Sequence, residues 1–574
     1  MRLLKGKFLM VWLLAYFSGF ACKTANHSSE LSQGFSGVSC EKGVDILPFL
    51  KKRYACTSQN FRDDKRHLYR PLPCNQITLV HHPENITDNH KASIAWLSSQ
   101  PEFTLQEARR TLSNPGQPAS VFSASPIADH KVHKQLVEMI DNAKETIFFD
   151  MFLLGGYWGA DVARHLVLAA ERGVDVLVLR DTENPFGFAA EILPLWQALK
   201  EYKSTSDKGS FVVLRSEIHK RPSGLPFGAG RFLKPFLVNV NDKGTTPLLQ
   251  SDHSKLLIVD GLSKTPSMFI GSKNMADHGS GINFDESVFL KGPTAGLTQL
   301  AYLRDLELAY SLAEKEKSLA ADGMKTLSSW IERIKALKGA SSHIVEGYAD
   351  GLAAQLVENN ADDSIRNAET TFLRLINTSS KEVGFYSMGL IPFGGNLADA
   401  IVDAQRRGVN IRAILDPLTG ELSGKLLRRA LIKRGLAEAT VDRMIRWRVV
   451  RDGWVAEESP TGIVIRQQQH TKTLIADDRV QLGSVNFDMM TFGGAFRETS
   501  LVVHGGEVVS DAKRNFEALF SDPTLTITYA EAFPDEKTSL KQEALARAVD
   551  AYQKLSALVK ANVDSSKLGS DSCY

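Results

Sequence analysis

Two histidines, each followed two positions later by a lysine, are the residues of this 574-residue chain best placed to do chemistry. His253-Ser254-Lys255 precedes Asp260 and then Gly271-Ser272-Lys273-Asn274. His470-Thr471-Lys472 precedes Asp477 and then Gly483-Ser484-Val485-Asn486. No other His-x-Lys or Gly-Ser-x-Asn occurs in the sequence. Imidazole serves as nucleophile or general acid near neutral pH. Lysine offers a point charge to phosphate oxygens, while Ser and Asn add neutral donors. Phosphoester chemistry uses every member of the set. A lone His-x-Lys is more often a half-buried histidine beside a solvated lysine, and a lone Gly-Ser-x-Asn is more often a turn. The ordered repetition is what points to one site with two halves. A paired carboxylate extends it: Glu286 lies 14 residues after Ser272, and Glu498 lies 14 after Ser484.

These side chains need strands to hold them. Each histidine leads a buried run, Leu256-Leu257-Ile258-Val259 or Thr473-Leu474-Ile475-Ala476, and a period of two puts His and Lys on the same face. Upstream, an apolar run at 146–152, a helical pattern through Val162, Leu166 and Ala169 closed by Gly173, and a second run at 174–179 read as strand, helix, strand. That order predicts parallel pairing through a crossover. The second half repeats it, with Phe372, Leu375 and Ile376 on a helix, a strand at 383–388, a helix at 397–405, and Arg407-Gly408-Val409 mirroring Arg172-Gly173-Val174. The first half is longer by a Gly- and Pro-containing stretch around 222–230, either a lid or a surface loop.

At these residues the chain resembles the phospholipase D superfamily, whose signature is His-x-Lys, four residues, Asp, then Gly-Ser-x-Asn. The resemblance covers two lobes, 126–312 and 363–535. Gly483-Ser484-Val485-Asn486-Phe487-Asp488 is similar to the cardiolipin synthase and bacterial phospholipase branch, from which Met275-Ala276-Asp277-His278 departs. The resemblance implies two duplicated α/β/α lobes with mixed, largely parallel sheets around one cleft. It implies a phosphodiesterase or phosphatidyltransferase acting on phospholipids through a covalent phosphohistidine, with no cofactor and no metal. His253, Lys255, His470 and Lys472 would be the catalytic residues. Ser272, Asn274, Ser484 and Asn486 would hold the phosphate, and Glu286 and Glu498 would orient the imidazoles. Asp260 and Asp477 close the motif at strand ends, where a structural role fits better. A metal-independent nuclease and a non-catalytic lipid-binding protein are the competing readings.

Composition narrows the rest. A chain 43% hydrophobic and 23% charged is not dominated by disorder, and 68 basic against 66 acidic residues give no overall drive toward polyanions. Arg2, Lys5 and Lys7, an apolar run at 8–17 and small residues at Ser18, Gly19 and Ala21 read as a secretory signal over 1–21. Export to a periplasmic, secreted or membrane-anchored location follows, with a lipid anchor on Cys22 as an alternative. Cys40, Cys56, Cys74 and Cys573 then suffice for two disulfides. Asn26, Asn85 and Asn377 open glycosylation sequons. Region 22–125, rich in proline, reads as a loop-rich accessory cap, 313–362 as a helical connector, and 536–574 as a helix and tail. Residues 425–451 carry nine basic side chains with interleaved leucines, a pattern suited to an anionic membrane surface, to a nucleic-acid backbone, or to a solvated helix whose leucines cover the sheet. Phospholipid is the expected substrate and a membrane surface the expected partner, nucleic acid less so. A monomer suffices, because both motifs lie in one chain.

Overall fold

The computed structural model describes residues 40–50, 68–82, 88–180, 189–203, 208–216, 251–277, 283–361, 365–388, 396–416, 421–449, 455–456, 465–466, 468–487, 489–492 and 496–533. All lie in one compact unit, residues 39–574. The signal segment with Cys22, the 222–230 stretch, Cys56, Cys573, the Asn26 and Asn85 sequons and the tail after 533 lie outside the described residues.

The chain enters a 16-stranded sheet with β1 (Leu72–His82). In the first lobe, β2 (Thr146–Met151) feeds helix α1 (Gly156–Arg172), which ends at Gly173 in the left-handed region, φ 110°. The chain returns as β3 (Asp175–Arg180), parallel to β2, and then β4 (Phe211–Arg215), parallel to β3. The two-residue β5 (Ser251–Asp252) leads into β6 (Lys255–Val259), β7 (Ser267–Gly271) and β8 (Asp285–Lys291), which lie antiparallel in a row beyond β2. Helices α2 (Leu303–Glu316) and α3 (Ala321–Gly339) connect the lobes, followed by β9 (Leu352–Asn359).

The second lobe repeats the first strand for strand. Strand β10 (Glu382–Ser387), helix α4 (Asn396–Arg406), β11 (Asn410–Leu415), helices α5 (Glu421–Lys433) and α6 (Glu438–Met444), and β12 (Ile445–Arg448) build the parallel side. Strands β13 (Lys472–Ala476), β14 (Arg479–Gly483) and β15 (Phe496–His504) build the antiparallel side. Helix α7 (Gly506–Ser521) follows, and β16 (Thr526–Ile527) closes the edge beside β12. Across the sheet the order is β16-β12-β11-β10-β13-β14-β15-β9-β1-β8-β7-β6-β2-β3-β4, so β9 and β1 join the lobes at the middle.

Four expectations are corrected. The lobes are α/β and mixed, but parallel pairing does not predominate: it is confined within this sheet to the strand-helix-strand units and to β5 beside β15. The strands bearing the motifs follow one another through short turns, and a short turn can join only antiparallel neighbours. The region before the first lobe is not merely a cap, since its β1 pairs with β8 and β9. The connector is helical only to Gly339, because the apolar run at 352–359 is claimed by the sheet between β1 and β15. The basic segment is two helices and a strand rather than one helix.

In that segment Leu427 and Leu431 are buried in the second-lobe core, worth about 1.5–3 kcal/mol each. Arg428 pairs with Asp442 at 2.7 Å and with Glu438, and Arg434 pairs with Asp399 at 2.5 Å. Two of the segment's nine basic side chains are therefore paired with acids of the same lobe. Cys40 and Cys74 form a disulfide that ties the chain before the first lobe to β1.

Candidate active site

The motif glycines and aspartates are explained by the backbone around them. A Cβ on Gly271 or Gly483 would collide with Ser287 or Ser500 on the neighbouring strand, so only glycine lets the Gly-Ser strand lie flat there. Asp260 and Asp477 turn the chain with φ of 52° and 54°, a conformation few non-glycine residues adopt. Asp260 accepts backbone N–H bonds from Lys144, Glu145 and Thr146, and Asp477 accepts them from Ser380, Lys381 and Glu382. Both aspartates thus anchor the start of the neighbouring strand, β2 or β10, away from the histidines.

The two halves meet through their backbones. His253 N–H donates to the carbonyl of Arg497 at 2.9 Å, and His470 N–H donates to that of Phe284 at 2.9 Å. Each bond sets a histidine beside the first residues of the other lobe's carboxylate strand. His253 Nδ1 then lies 3.0 Å from Glu498 Oε1, and His470 Nδ1 lies 2.7 Å from Asp285 Oδ1. Every one of these four side chains is buried. Each imidazole is thereby left with Nε2 as its reactive edge.

Glu286 is not the counterpart of Glu498. Gly271 pairs with Ser287 and Gly483 with Ser500, so the residue equivalent to Glu498 is Asp285. Alternation along β8 sends Glu286 to the opposite face. There it accepts hydrogen bonds from the hydroxyls of Tyr386 and Thr473 and lies 3.0 Å from His81 Nδ1. From Gly483 to its partner Ser500 is one residue more than from Gly271 to its partner Ser287, so an equal count of 14 matches two carboxylates that are not equivalent. Sequence could have offered only the Asp285-Glu286 pair itself, two adjacent acids on opposite faces with no mark of which faces inward. Lys273 is a further member of the site that its place in the motif does not mark. Its Nζ lies 3.1 Å from Asp285 Oδ2, with both side chains wholly inaccessible.

Lys255 Nζ donates to the carbonyl of His253 at 2.8 Å, and Lys472 Nζ to that of His470 at 2.8 Å, with His470 Nε2 at 3.1 Å. The hydroxyl of Ser272 donates to Asp285 at 2.6 Å, and that of Ser484 to the carbonyl of Thr499 at 3.0 Å. Both serines act on the carboxylate strands. Asn274 Oδ1 accepts from the N–H of Leu153 at 3.3 Å. Asn486 Oδ1 is buried without a hydrogen-bond partner among the described residues, a cost a ligand's donor would relieve.

Cations of the two halves crowd one another in the site. Burial, then Lys472, drives Lys255 well below its ordinary range. Burial, then Lys255 and Lys472, drives His253 far down, and burial and Lys472 lower His470 to about 3 despite Asp285. Lysine and histidine of each half therefore act on those of the other, as they would around one anion. The carboxylates diverge. Burial raises Glu498 to about 7 against the pull of Lys255. Burial would also raise Asp285, but Lys273 and then His470 outweigh it and hold it below the usual range. The rings differ too: His253 packs against Phe152 at 4.6 Å and stacks on Phe496 at 5.5 Å, while Asn283 stands where the first lobe would place a second Phe496.

Beneath the site, Arg497 is buried with Asp305 at 2.7 Å and Glu358 at 3.2 Å, which fixes the strand carrying Glu498. Among the described residues no cluster of three or more His, Cys, Asp or Glu side chains is placed to hold a metal ion. No helix there is long and apolar enough to cross a membrane.

Residues 372–520 match the family described as cardiolipin synthase, PLD-like domain. Among solved structures the chain is similar to phosphatidylserine synthase from Haemophilus influenzae Rd KW20, at 12% identity and a TM-score of 0.48, covering 82% of this chain and 99% of that one. It is also similar to Nuc, a phospholipase D family member from Salmonella typhimurium, at 16% identity and a TM-score of 0.23, covering 31% of this chain and 98% of that one. No curated protein matches the chain.

Proposed function

Since residues 372–520 are a phospholipase D-like domain and the first lobe repeats its strand order, we propose that the chain is a phosphodiesterase or phosphatidyltransferase acting on phospholipids through a covalent phosphohistidine. The observation that carries this reading is the buried cleft itself. Two histidines, each backed by a carboxylate from the opposite lobe, face two lysines that repel one another until an anion enters. A phosphodiester supplies that anion.

In the first step Nε2 of His253 attacks phosphorus, the P–N bond forms, and the P–O bond to the leaving alcohol breaks as His470 donates a proton to that oxygen. His253 suits the attack because its aromatic surroundings keep it neutral. Glu498 holds its Nδ1 proton and offsets the positive charge that phosphorylation leaves on the ring. Lys255 and Lys472, with the amides of Asn274 and Asn486, neutralise and bind the non-bridging oxygens. In the second step His470 takes a proton from water or from an acceptor alcohol, whose oxygen displaces His253. The two histidines exchange one proton's worth of charge over the cycle, so their titration belongs to the pair. Export remains part of the proposal. The Cys40–Cys74 disulfide supports it, as such bonds persist in oxidising compartments.

The test is to incubate the full-length protein with EDTA and to offer phosphatidylglycerol, phosphatidylcholine with ethanol, or single-stranded DNA, beside His253→Ala and His470→Ala. Phosphatidate, phosphatidylethanol or cardiolipin formed by wild type, and reduced about 10³-fold or more in both variants, supports the reading. Cleavage of DNA alone would sink the lipid assignment. No product from any substrate would leave a binding protein.

A further inference from the structure

The two halves are built alike, yet the reaction needs one histidine to give a proton and the other to give a lone pair. We propose that Lys273 is the positioning residue that makes them unequal, by holding Asp285 as a permanent anion against His470 so that the reaction's proton resides on His470 rather than on His253. The inference rests on the phosphodiesterase reading and adds to it the residue that assigns the roles.

Lys273 occupies the variable position of its Gly-Ser-x-Asn turn, where the second copy has Val485. Its Nζ lies 3.1 Å from Asp285 Oδ2 and donates to the carbonyl of Asn283 at 3.0 Å, with the Trp158 ring 5.6 Å away. The other oxygen of Asp285 meets the Ser272 hydroxyl at 2.6 Å and His470 Nδ1 at 2.7 Å. Asp285 is thus enclosed by one cation, one hydroxyl and the imidazole it serves. Across the cleft, Glu498 has the Thr491 hydroxyl at 3.2 Å and His253 at 3.0 Å, and the valine in place of Lys273 offers it no charge.

The difference in charge follows. Glu498 rises to about 7 through burial, so near neutrality it is only partly ionised, whereas Asp285 stays ionised. An anion at 2.7 Å favours imidazolium on His470 against the downward push of burial and Lys472, a push that the charge of a bound phosphodiester offsets, and a half-neutral carboxyl does less for His253. The groups facing the pair are Lys273 from its own turn, Lys472 and His470 from the second lobe, and Lys255 from the first. His130 faces Lys273 from behind and is pushed down to about 3 by burial and then by that lysine, so it stays neutral.

Leaving groups give the test. An alkyl alcohol needs a proton to depart, but p-nitrophenolate does not. Full-length wild type, Lys273→Met and Lys273→Arg are compared on a phospholipid and on its p-nitrophenyl phosphodiester analogue from pH 5 to 9. Lys273→Met should lose about 100-fold on the alkyl ester near pH 7 and only a few-fold on the nitrophenyl ester. Its alkyl-ester activity should fall further as pH drops, because Asp285, freed of its cation, takes up a proton there. Lys273→Arg should restore the wild-type ratio between the substrates. Equal loss on both esters, or a loss independent of pH, overturns the role of Lys273 while leaving the phosphodiesterase reading intact. Wild type inactive on both esters overturns that reading and this inference with it. Should Lys273→Met fail to fold, Lys273→Gln, which keeps a donor for Asp285, carries the same comparison. Should neither fold, the ¹⁵N signals of the two histidines in phosphate-bound wild type decide: His470 must take up its proton at higher pH than His253, and the reverse order or equal titration overturns the proposal.

Discussion

Glu498 Oε1 lies 3.0 Å from Nδ1 of His253, a residue 245 positions earlier in the other lobe. The reciprocal contact, Asp285 to His470, spans 185 positions in the opposite sense, the carboxylate preceding its histidine. Neither lobe supplies both members of these histidine–carboxylate pairs, so the geometry of the candidate site is a property of the joined lobes.

The level of Glu498 sets a pH dependence of stability. Burial raises its carboxyl from 4.5 to about 7 in the folded protein. Stability from the neutral carboxyl is therefore fully present below about 4.5 and is lost as pH rises through 7, on the order of 3 kcal/mol in all. Glu498→Gln has no such titration. Thermal melting of both proteins from pH 5 to 8 should show the variant gaining on wild type as pH rises. A difference that stays constant with pH would count against the assignment.

Asp285 and Glu286 separate site from scaffold. Asp285→Asn should reduce turnover about 100-fold or more, since His470 loses the anion that orients it. Glu286→Gln should leave turnover within a few-fold of wild type. It should instead lower unfolding free energy by about 1–3 kcal/mol, because one of the Tyr386 and Thr473 hydroxyls then meets an amide NH2 where it had an acceptor oxygen. The reverse pattern in a turnover and denaturation series would restore Glu286 to the site.

The paired lysines predict stabilisation by anions. Millimolar phosphate or vanadate should raise the melting temperature of wild type, by about 2.7 kcal/mol of stability at a hundred times the dissociation constant. Lys472→Met should abolish that shift and melt higher than wild type without anion, as it relieves the repulsion on Lys255. An undiminished phosphate shift in the variant would place the anion elsewhere.

The Cys40–Cys74 disulfide closes a loop with a sequence separation of 34. Cys40→Ala with Cys74→Ala should cost about 3–4 kcal/mol on the chain-entropy estimate. Denaturant midpoints with and without reductant measure it, and coincident midpoints would rule out a stabilising role.

Much of the site was legible because its residue types are rare and its order repeats. His253, Lys255, His470 and Lys472 converge through buried strands that local pattern alone reveals. The aspartates at 260 and 477 were readable as strand-end anchors for the same reason. What stayed hidden depends on register and partner choice. Asp285 and Glu286 differ by one position, and only the pairing of Gly271 with Ser287 says which faces the cleft. Strands β1 and β9 lay in stretches read as cap and connector, because the partners that make them strands are far away in sequence. Lys273 was invisible for a simpler reason: a variable position in a motif carries no mark of the carboxylate it meets after folding.

The exchange of carboxylates between lobes also bears on how such a chain can evolve. When one gene holds two copies of an ancestral unit, each copy is ordinarily free to drift once the other keeps the function. Here a change at position 285 is felt by the histidine at 470, and a change at 498 by the histidine at 253. Divergence of the copies is interlocked at these four residues, because a change in either carboxylate is felt first by the opposite copy's histidine.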